Sequence, residues 1–553
     1  MSILTDRLNS WAEDNQIIVE EQAGFRKGYS TVDNIFVLHS IIQHYLQRKR
    51  KVYVAFVDFK KAFDTVSKEA LWDILHRHGI QGRFLKMLQA IYSQVICKVR
   101  CNGDYSEPFD SYSGLKQGCK MSPIIFAMIV NYVANVIIQN GKHGVQISPD
   151  NVIYLLLYAD DIVLISDTIV GLQNQLNHLK KGADAVGLTV NREKTKVMVF
   201  RNGGYLSAKE RWFLGTDRLE CVSEYRYLGS LFTIKLSCNQ FQKDLVQRAK
   251  ANTTQVIRCI RKLQCVSPDA FFKMLDAQII SVVLYSSEVW GLYYCSVIET
   301  VHLEALKRFL NLPIRVPNLI VYGETGRYPI FVNGIIRAVR YWLRILRMES
   351  SRYPHMVYTK MKNSTQKNWA HQIKEMLSTY GFENLWSSQN VDNETEFLRD
   401  LKQRIVHHYI DNWERALMGS ERYSFYRSIK PVWGREKYLY VLDRKPFRDV
   451  YVQFRSGFSE LYIHKLRYSR EDVENMYVCP SCTEEYECEL HLLYGCPVYE
   501  DIRRKYLYNI LEVNTVEQLF SNSDPWGLRA MSMFLYYAFK RRREAAEVDV
   551  ADN

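Results

Sequence analysis

Two adjacent aspartates, Asp160 and Asp161, interrupt the otherwise apolar run YLLLYADDIVLIS between Tyr154 and Ser166. A buried carboxylate is costly to ionise, and a neighbouring one repels it. A divalent cation removes that penalty, because hard oxygen ligands suit Mg²⁺. A third acid, Asp58, ends the alternating apolar stretch KVYVAFVD. Three carboxylates converging from two strand elements could hold two ions. That arrangement stabilises the attacking and leaving oxygens of a phosphoryl transfer. Taken singly, each acid has a plainer reading: an Asx-rich turn at Asp160 and Asp161, a strand-end or capping carboxylate at Asp58.

A second set of donors lies near the C-terminus, where Cys479, Cys482, His491 and Cys496 are spaced C-x2-C-x8-H-x4-C. Three thiolates and one imidazole suit a closed tetrahedral Zn²⁺ site. Cys488 is an extra thiol that either replaces one ligand or stays free. Four protein ligands leave no open position, which argues against a zinc-dependent hydrolase.

The elements that must position the acids follow from the hydrophobic pattern. Val52, Val54 and Phe56 alternate as in a strand that carries Asp58 at its end, and a helix follows Thr65. VIYLLL and IVLIS read as the two strands of a hairpin whose turn presents Asp160 and Asp161 at a sheet edge. PIIFAMIVNYVANVII is too short to span a bilayer and contains Asn131 and Asn135, so it reads as a core helix. LSCNQFQKDLVQRAKANTTQVIRCIRKL (Leu236–Leu263) has apolar positions at helical spacing, with basic residues between them. Residues 320–470 are mostly helical by pattern, and KRRREAAEVDVADN reads as a frayed tail.

With 553 residues the chain divides into two to four domains. Its 47% hydrophobic content fits a globular protein rather than a disordered one. The net charge of +13 suits a polyanionic partner. The 37 Tyr and 25 Phe serve cores, or stacking on bases and sugars. The charged N-terminus MSILTDRLNSWAEDNQ is no secretory signal, so the 12 cysteines are expected in a reducing intracellular compartment.

FVDFKKAFD and YADD, with 101 residues between Asp58 and Asp160, resemble motifs A and C of reverse transcriptases, and more narrowly those of non-LTR (LINE-like) retrotransposons. SGLKQGCKMSP (Ser113–Pro123) resembles motif B, with Lys120 where proline is commoner. AGFRKGYST (Ala23–Thr31) resembles the segment before motif A. GLTVNREKTKVMVF (Gly187–Phe200) resembles motif D, and YRYLG (Tyr225–Gly229) the following palm hairpin. Six motifs in the right order are far more specific than any one of them.

The resemblance implies an RNA-directed DNA polymerase with an α+β, right-hand polymerase fold. Asp58, Asp160 and Asp161 would be its ligands for two Mg²⁺, with Mn²⁺ as a substitute. Phe63 would exclude a ribose 2′-hydroxyl, and Gln117 and Gly118 would approach the substrate. Lys194 would protonate the leaving pyrophosphate, with Lys196 as the competing candidate. Arg26 and Lys27 would contact template phosphates. The partners implied are an RNA template, a DNA primer or target and dNTPs, with no membrane. The family's way of life implies an intracellular, nuclear site of action with a cytoplasmic RNA-bound stage.

Expected domains are partial fingers and palm over 1–235, a helical thumb over 236–320 and a helical connector over 321–470. The CCHC zinc knuckle, which would bind template RNA or target DNA, and C-terminal helices fill 471–553. The resemblance begins after the family's first fingers segment and without its endonuclease. The expectation is therefore an N-terminally truncated chain. The alternative function is a catalytically impaired or domesticated nucleic-acid-binding remnant.

Overall fold

The computed structural model describes residues 2–93, 95–110, 113–263, 267–293, 296–466, 478–511, 515–521 and 524–551. Its central sheet has five strands in the order Glu220–Cys221, Lys196–Phe200, Val52–Val57, Asp161–Ser166 and Leu155–Tyr158. All pairings are antiparallel except that of Glu220–Cys221 with Lys196–Phe200. Every residue of Val52–Val57 is buried, because both faces of this middle strand are covered.

The period-2 pattern of that strand sorts its side chains between two layers. Tyr53, Ala55 and Val57 join a hydrophobic core with Ile125, Ile129 and Val133 of the helix Ser122–Asn140. On the opposite face Phe56 stacks on Tyr225, with ring centroids 4.2 Å apart. Tyr225 belongs to the hairpin of strands Glu224–Tyr227 and Ser230–Thr233, whose turn residues Leu228 and Gly229 both have positive φ.

Helix Ser122–Asn140 is long and apolar enough to cross a membrane, but twelve of its residues pack into the core. Its Asn131, fully buried, accepts from the Val19 N–H (2.8 Å) and donates to the Ile17 carbonyl (2.8 Å). A polar residue inside an apolar helix is thus satisfied by a loop that it anchors.

The chain forms two compact units. The first comprises residues 1–241, 286–293 and 337–394, the second residues 242–285, 294–336 and 395–553. The connector expected over 321–470 is therefore divided between them. Residues 337–394 join the first unit because their polar groups meet acids near its N-terminus. Arg344 donates to Asp33 (2.8 Å), Arg352 to Glu20 (2.9 Å), and Tyr353 Oη to Glu21 (2.6 Å).

The second unit is helical around a buried ion cluster. Arg455 donates to both Glu324 oxygens (3.2 Å each) and to Glu436 (3.0 Å), and Arg455 and Glu324 are wholly enclosed. Burial pushes the Glu324 carboxyl up, but Arg455 and Lys430 outweigh it and hold the group below its usual range. Tyr426 and Tyr438 also donate to Glu324. The expected frayed tail is instead helical, from Pro525 to Ala551. Its basic run is tied down by acids: Arg541 to Asp501, Arg542 to Glu487 and Arg543 to Glu460.

Candidate active site and metal centre

The register of the sheet answers why the carboxylates sit where they do. Val57 pairs with Ile162, so one further step along both strands sets Asp58 across from Asp161. Leu155–Tyr158 and Asp161–Ser166 form a hairpin closed by Ala159 and Asp160, with Ala159 at φ +58°. The expected strand VIYLLL is split. Asn151–Ile153 pairs with Val145–Ser148 instead, and only Leu155–Tyr158 reaches the aspartate turn.

All three acids are half-buried. Burial, then Asp160, then Asp58 push the Asp161 carboxyl up to about 6. Asp58 Oδ2 is buried without a hydrogen-bond partner; the nearest cation is Lys194 Nζ at 3.7 Å. A buried carboxylate oxygen that accepts no hydrogen bond and faces a second carboxylate is the pattern that a hard divalent cation relieves.

Lys194 is otherwise exposed, whereas Lys196 is paired with Glu220 at 2.5 Å. Its loop is stitched to the Asp58 strand end. The Asn191 N–H donates to the Asp58 carbonyl (2.7 Å), and the Asp58 N–H donates to Thr195 Oγ1 (3.3 Å). Tyr225 also faces the acids: burial, then Asp161 and Asp58, push its phenol up to about 12.

Phe63 and Gln117 form a second group, laced to each other. The Phe63 ring stacks on Phe126 (4.2 Å) and meets Phe25 edge-on (6.5 Å). Gln117 Nε2 donates to Asp64 Oδ1 (3.1 Å), and the Leu115 N–H donates to the Phe63 carbonyl (2.7 Å). Gly118 has φ +79°, which suits glycine. Gly114, unremarked in the sequence, lies so close to this loop that a Cβ there would sit 2.7 Å from the Asp64 carbonyl oxygen.

Arg26 and Lys27 part company. Lys27 is exposed. Arg26 is instead a brace: it grips both Glu13 oxygens (2.9 and 2.7 Å), donates to the Val19 and Gln22 carbonyls, and lies over the Tyr29 ring at 4.1 Å. With those donors engaged it is not a free cation for phosphates.

Sequence reasoning missed Gln22, a fully buried amide bonded to the backbone of Ala159. It missed Asn34 as well, which donates to the Leu157 carbonyl (2.8 Å). Neither carries a signal beyond being polar, and each acts through the backbone of a hairpin more than a hundred residues away in sequence.

In the second unit the four C-terminal donors converge. One donor atom from each of Cys479, Cys482, His491 and Cys496 lies within 4.8 Å of all the others. Cys479 and Cys496 sulfurs are 4.0 Å apart, and Cys482 Sγ is 3.4 Å from His491 Nε2. Tetrahedral Zn–S bonds of about 2.3 Å give sulfur–sulfur edges of about 3.8 Å, so the set fits that ion. Cys488 lies outside the cluster and accepts from the His491 N–H (3.4 Å). Burial pushes the Cys482 thiol up, but the Glu484 and Glu485 N–H groups bring it down to about 7.

A sheet that brings three acids to the end of adjacent strands, with a lysine beside them, has the arrangement expected of a polymerase palm, and residues 1–232 match the family described as reverse transcriptase (RNA-dependent DNA polymerase). Those residues are a reverse transcriptase domain. More narrowly, the chain is similar to proteins of non-LTR retrotransposons.

The chain is 24% identical over 408 residues to the Drosophila melanogaster "Retrovirus-related Pol polyprotein from type-2 retrotransposable element R2DM", covering 70% of this chain and 37% of that protein. It is 24% identical over 307 residues to the "Probable RNA-directed DNA polymerase from transposon BS" of the same species, covering 52% and 32%. This chain thus spans well under half the length of these relatives. Among solved structures, apo telomerase from Candida tropicalis aligns with a TM-score of 0.34 and 10% identity, over 72% of this chain and 60% of that one.

Proposed function

We propose that the chain is an RNA-directed DNA polymerase that extends a DNA 3′-hydroxyl on an RNA template. The observation that carries this reading is the facing pair Asp58 and Asp161, with Asp161 pushed up to about 6 and Asp58 Oδ2 buried without a hydrogen bond. Asp58, Asp160 and Asp161 would hold two Mg²⁺, or Mn²⁺ in their place. When bound, such ions supply charge stabilisation at the attacking and leaving oxygens.

The chain's own groups do the rest. Lys194, tethered by the Asn191 loop, carries a mobile proton to the departing pyrophosphate. Phe63, held flat by Phe126, occupies the space of a ribose 2′-hydroxyl and selects dNTPs. Gln117 and Gly118 line the approach of the incoming nucleotide. Lys27 meets template phosphate, while Arg26 holds the segment that carries it. Cys479, Cys482, His491 and Cys496 would bind one structural Zn²⁺, whose module contacts template RNA or target DNA. The chain would act in the nucleus on chromosomal target DNA after a cytoplasmic stage bound to its RNA.

Primer extension on poly(A)–oligo(dT) with Mg²⁺ tests the reading. Extension by the wild type that disappears in Asp160→Ala supports it. Equal signal from both proteins overturns it.

A further inference from the structure

We infer that Gln22 is a positioning residue that sets the aspartate turn; the inference rests on the polymerase reading above. Ala159 opens the turn in the left-handed region, at φ +58°, which residues with a Cβ seldom occupy. Both of its backbone polar groups are held by one amide. The Ala159 N–H donates to Gln22 Oε1 (3.0 Å), and Gln22 Nε2 donates to the Ala159 carbonyl (3.3 Å). The same Oε1 also accepts from the Gly24 N–H (2.8 Å). Gln22 has no exposed surface, so water does not stand in for it.

The clamp is itself fixed to the sheet. The Ala23 N–H donates to the Leu157 carbonyl (2.9 Å), and the Leu157 N–H donates to the Glu21 carbonyl (2.8 Å). Gly24 completes the fit, since a Cβ there would sit 2.1 Å from the Ala159 nitrogen. Only a side chain with a donor and an acceptor at this reach serves both Ala159 groups. Methionine keeps the volume and loses both bonds. Glutamate would lose the donor and place another negative charge against the turn.

Gln22 touches no reacting atom. It acts by holding the backbone from which Asp160 and Asp161 project. The test compares the full-length, zinc-loaded wild type with Gln22→Met and Gln22→Met/Ala159→Gly. Three readouts are used: Mn²⁺ affinity by EPR of the free ion, amide exchange of the peptide covering residues 155–163, and primer-extension kinetics. Gln22→Met is expected to bind Mn²⁺ about 10-fold more weakly and to lose protection in that peptide. Its kcat is expected to fall about 10- to 100-fold while KM for dNTP moves far less. The added Ala159→Gly should recover part of the loss, because glycine holds this φ without the clamp.

Wild-type Mn²⁺ affinity and wild-type exchange in Gln22→Met would overturn the inference, even if the protein melts earlier. Should Gln22→Met fail to fold, Ala159→Val probes the same contact from the other side. A β-branched residue resists positive φ, so weaker Mn²⁺ binding is expected with Gln22 intact, and unchanged binding counts against the clamp. A wild type that binds Mn²⁺ yet extends no primer would sink the polymerase reading alone, because the binding and exchange comparisons stand without turnover.

Discussion

The two donor clusters of this chain are built on opposite principles. Among the described residues, only the set Cys479, Cys482, His491 and Cys496 forms a group whose donor atoms all lie within 4.8 Å. It is supported from behind, since His491 Nδ1 lies 2.8 Å from Glu485 Oε2, which leaves Nε2 to face the thiols. The carboxylates belong to no group that tight. They sit at strand ends, half exposed, with one buried oxygen lacking a hydrogen bond and one acid pushed up to about 6. Four protein donors drawn together make a centre whose ion holds structure. Acids held apart under electrostatic strain leave room for ions shared with substrate.

The sharpest way to break this contrast is to remove one ligand from each site. Asp58→Asn is expected to lower primer extension by at least about 1,000-fold while zinc content stays at one ion per chain. Cys482→Ser should weaken zinc binding by roughly 100-fold or more and make residues 478–499 sensitive to protease. If Cys482→Ser left zinc affinity and protease resistance unchanged, the structural role would fall. If Asp58→Asn still polymerised at the wild-type rate, the catalytic one would. Glu485→Gln tests the outer partner alone. It should weaken zinc binding by about 10-fold, measured by chelator competition, with primer extension on a short template unaltered.

How much of this was legible beforehand differs between the sites for a physical reason. The Cys/His set is local in sequence, within 18 residues, so its spacing alone predicts the cluster found. Between Asp58 and the Asp160–Asp161 pair lie 101 residues. Alternation revealed their strands, but only the register set Asp58 opposite Asp161. Lys194 and Lys196 could not be ranked by charge; the Glu220 ion pair separates them. Arg26 was misread because an arginine in a basic segment looks exposed, and its partner Glu13 lies in the preceding helix Ser2–Asp14. Gln22 was invisible, since its partner is backbone and backbone leaves no trace in composition. The connector boundary failed similarly: helices at 337–394 read alike whichever core they join, and it is the acids Glu20, Glu21 and Asp33 that assign them.

The smallest effect is also the most direct probe of strain at the acids. The Asp161 carboxyl, ordinarily near 3.8, titrates at about 6 in the folded chain because of burial, Asp160 and Asp58. The folded state therefore holds this proton more tightly than the unfolded one. The stability that the proton confers is complete below about pH 4 and is lost as pH rises through about 6. At pH 7 without metal, the folded chain carries an ionised Asp161 at a cost of about 1–2 kcal/mol after solvent screening. Asp161→Asn removes that charge, so in chelator at pH 7 its melting temperature should exceed that of the wild type by a few degrees, roughly. At pH 4 the two should melt together. Added Mg²⁺ should raise the wild type more than Asp161→Asn, which keeps Asp58 and Asp160 but has lost one carboxylate ligand. A variant that melts below the wild type at pH 7 in chelator would mean that Asp161 is not strained, and the contrast between a relaxed zinc set and a strained acid set would lose its physical basis.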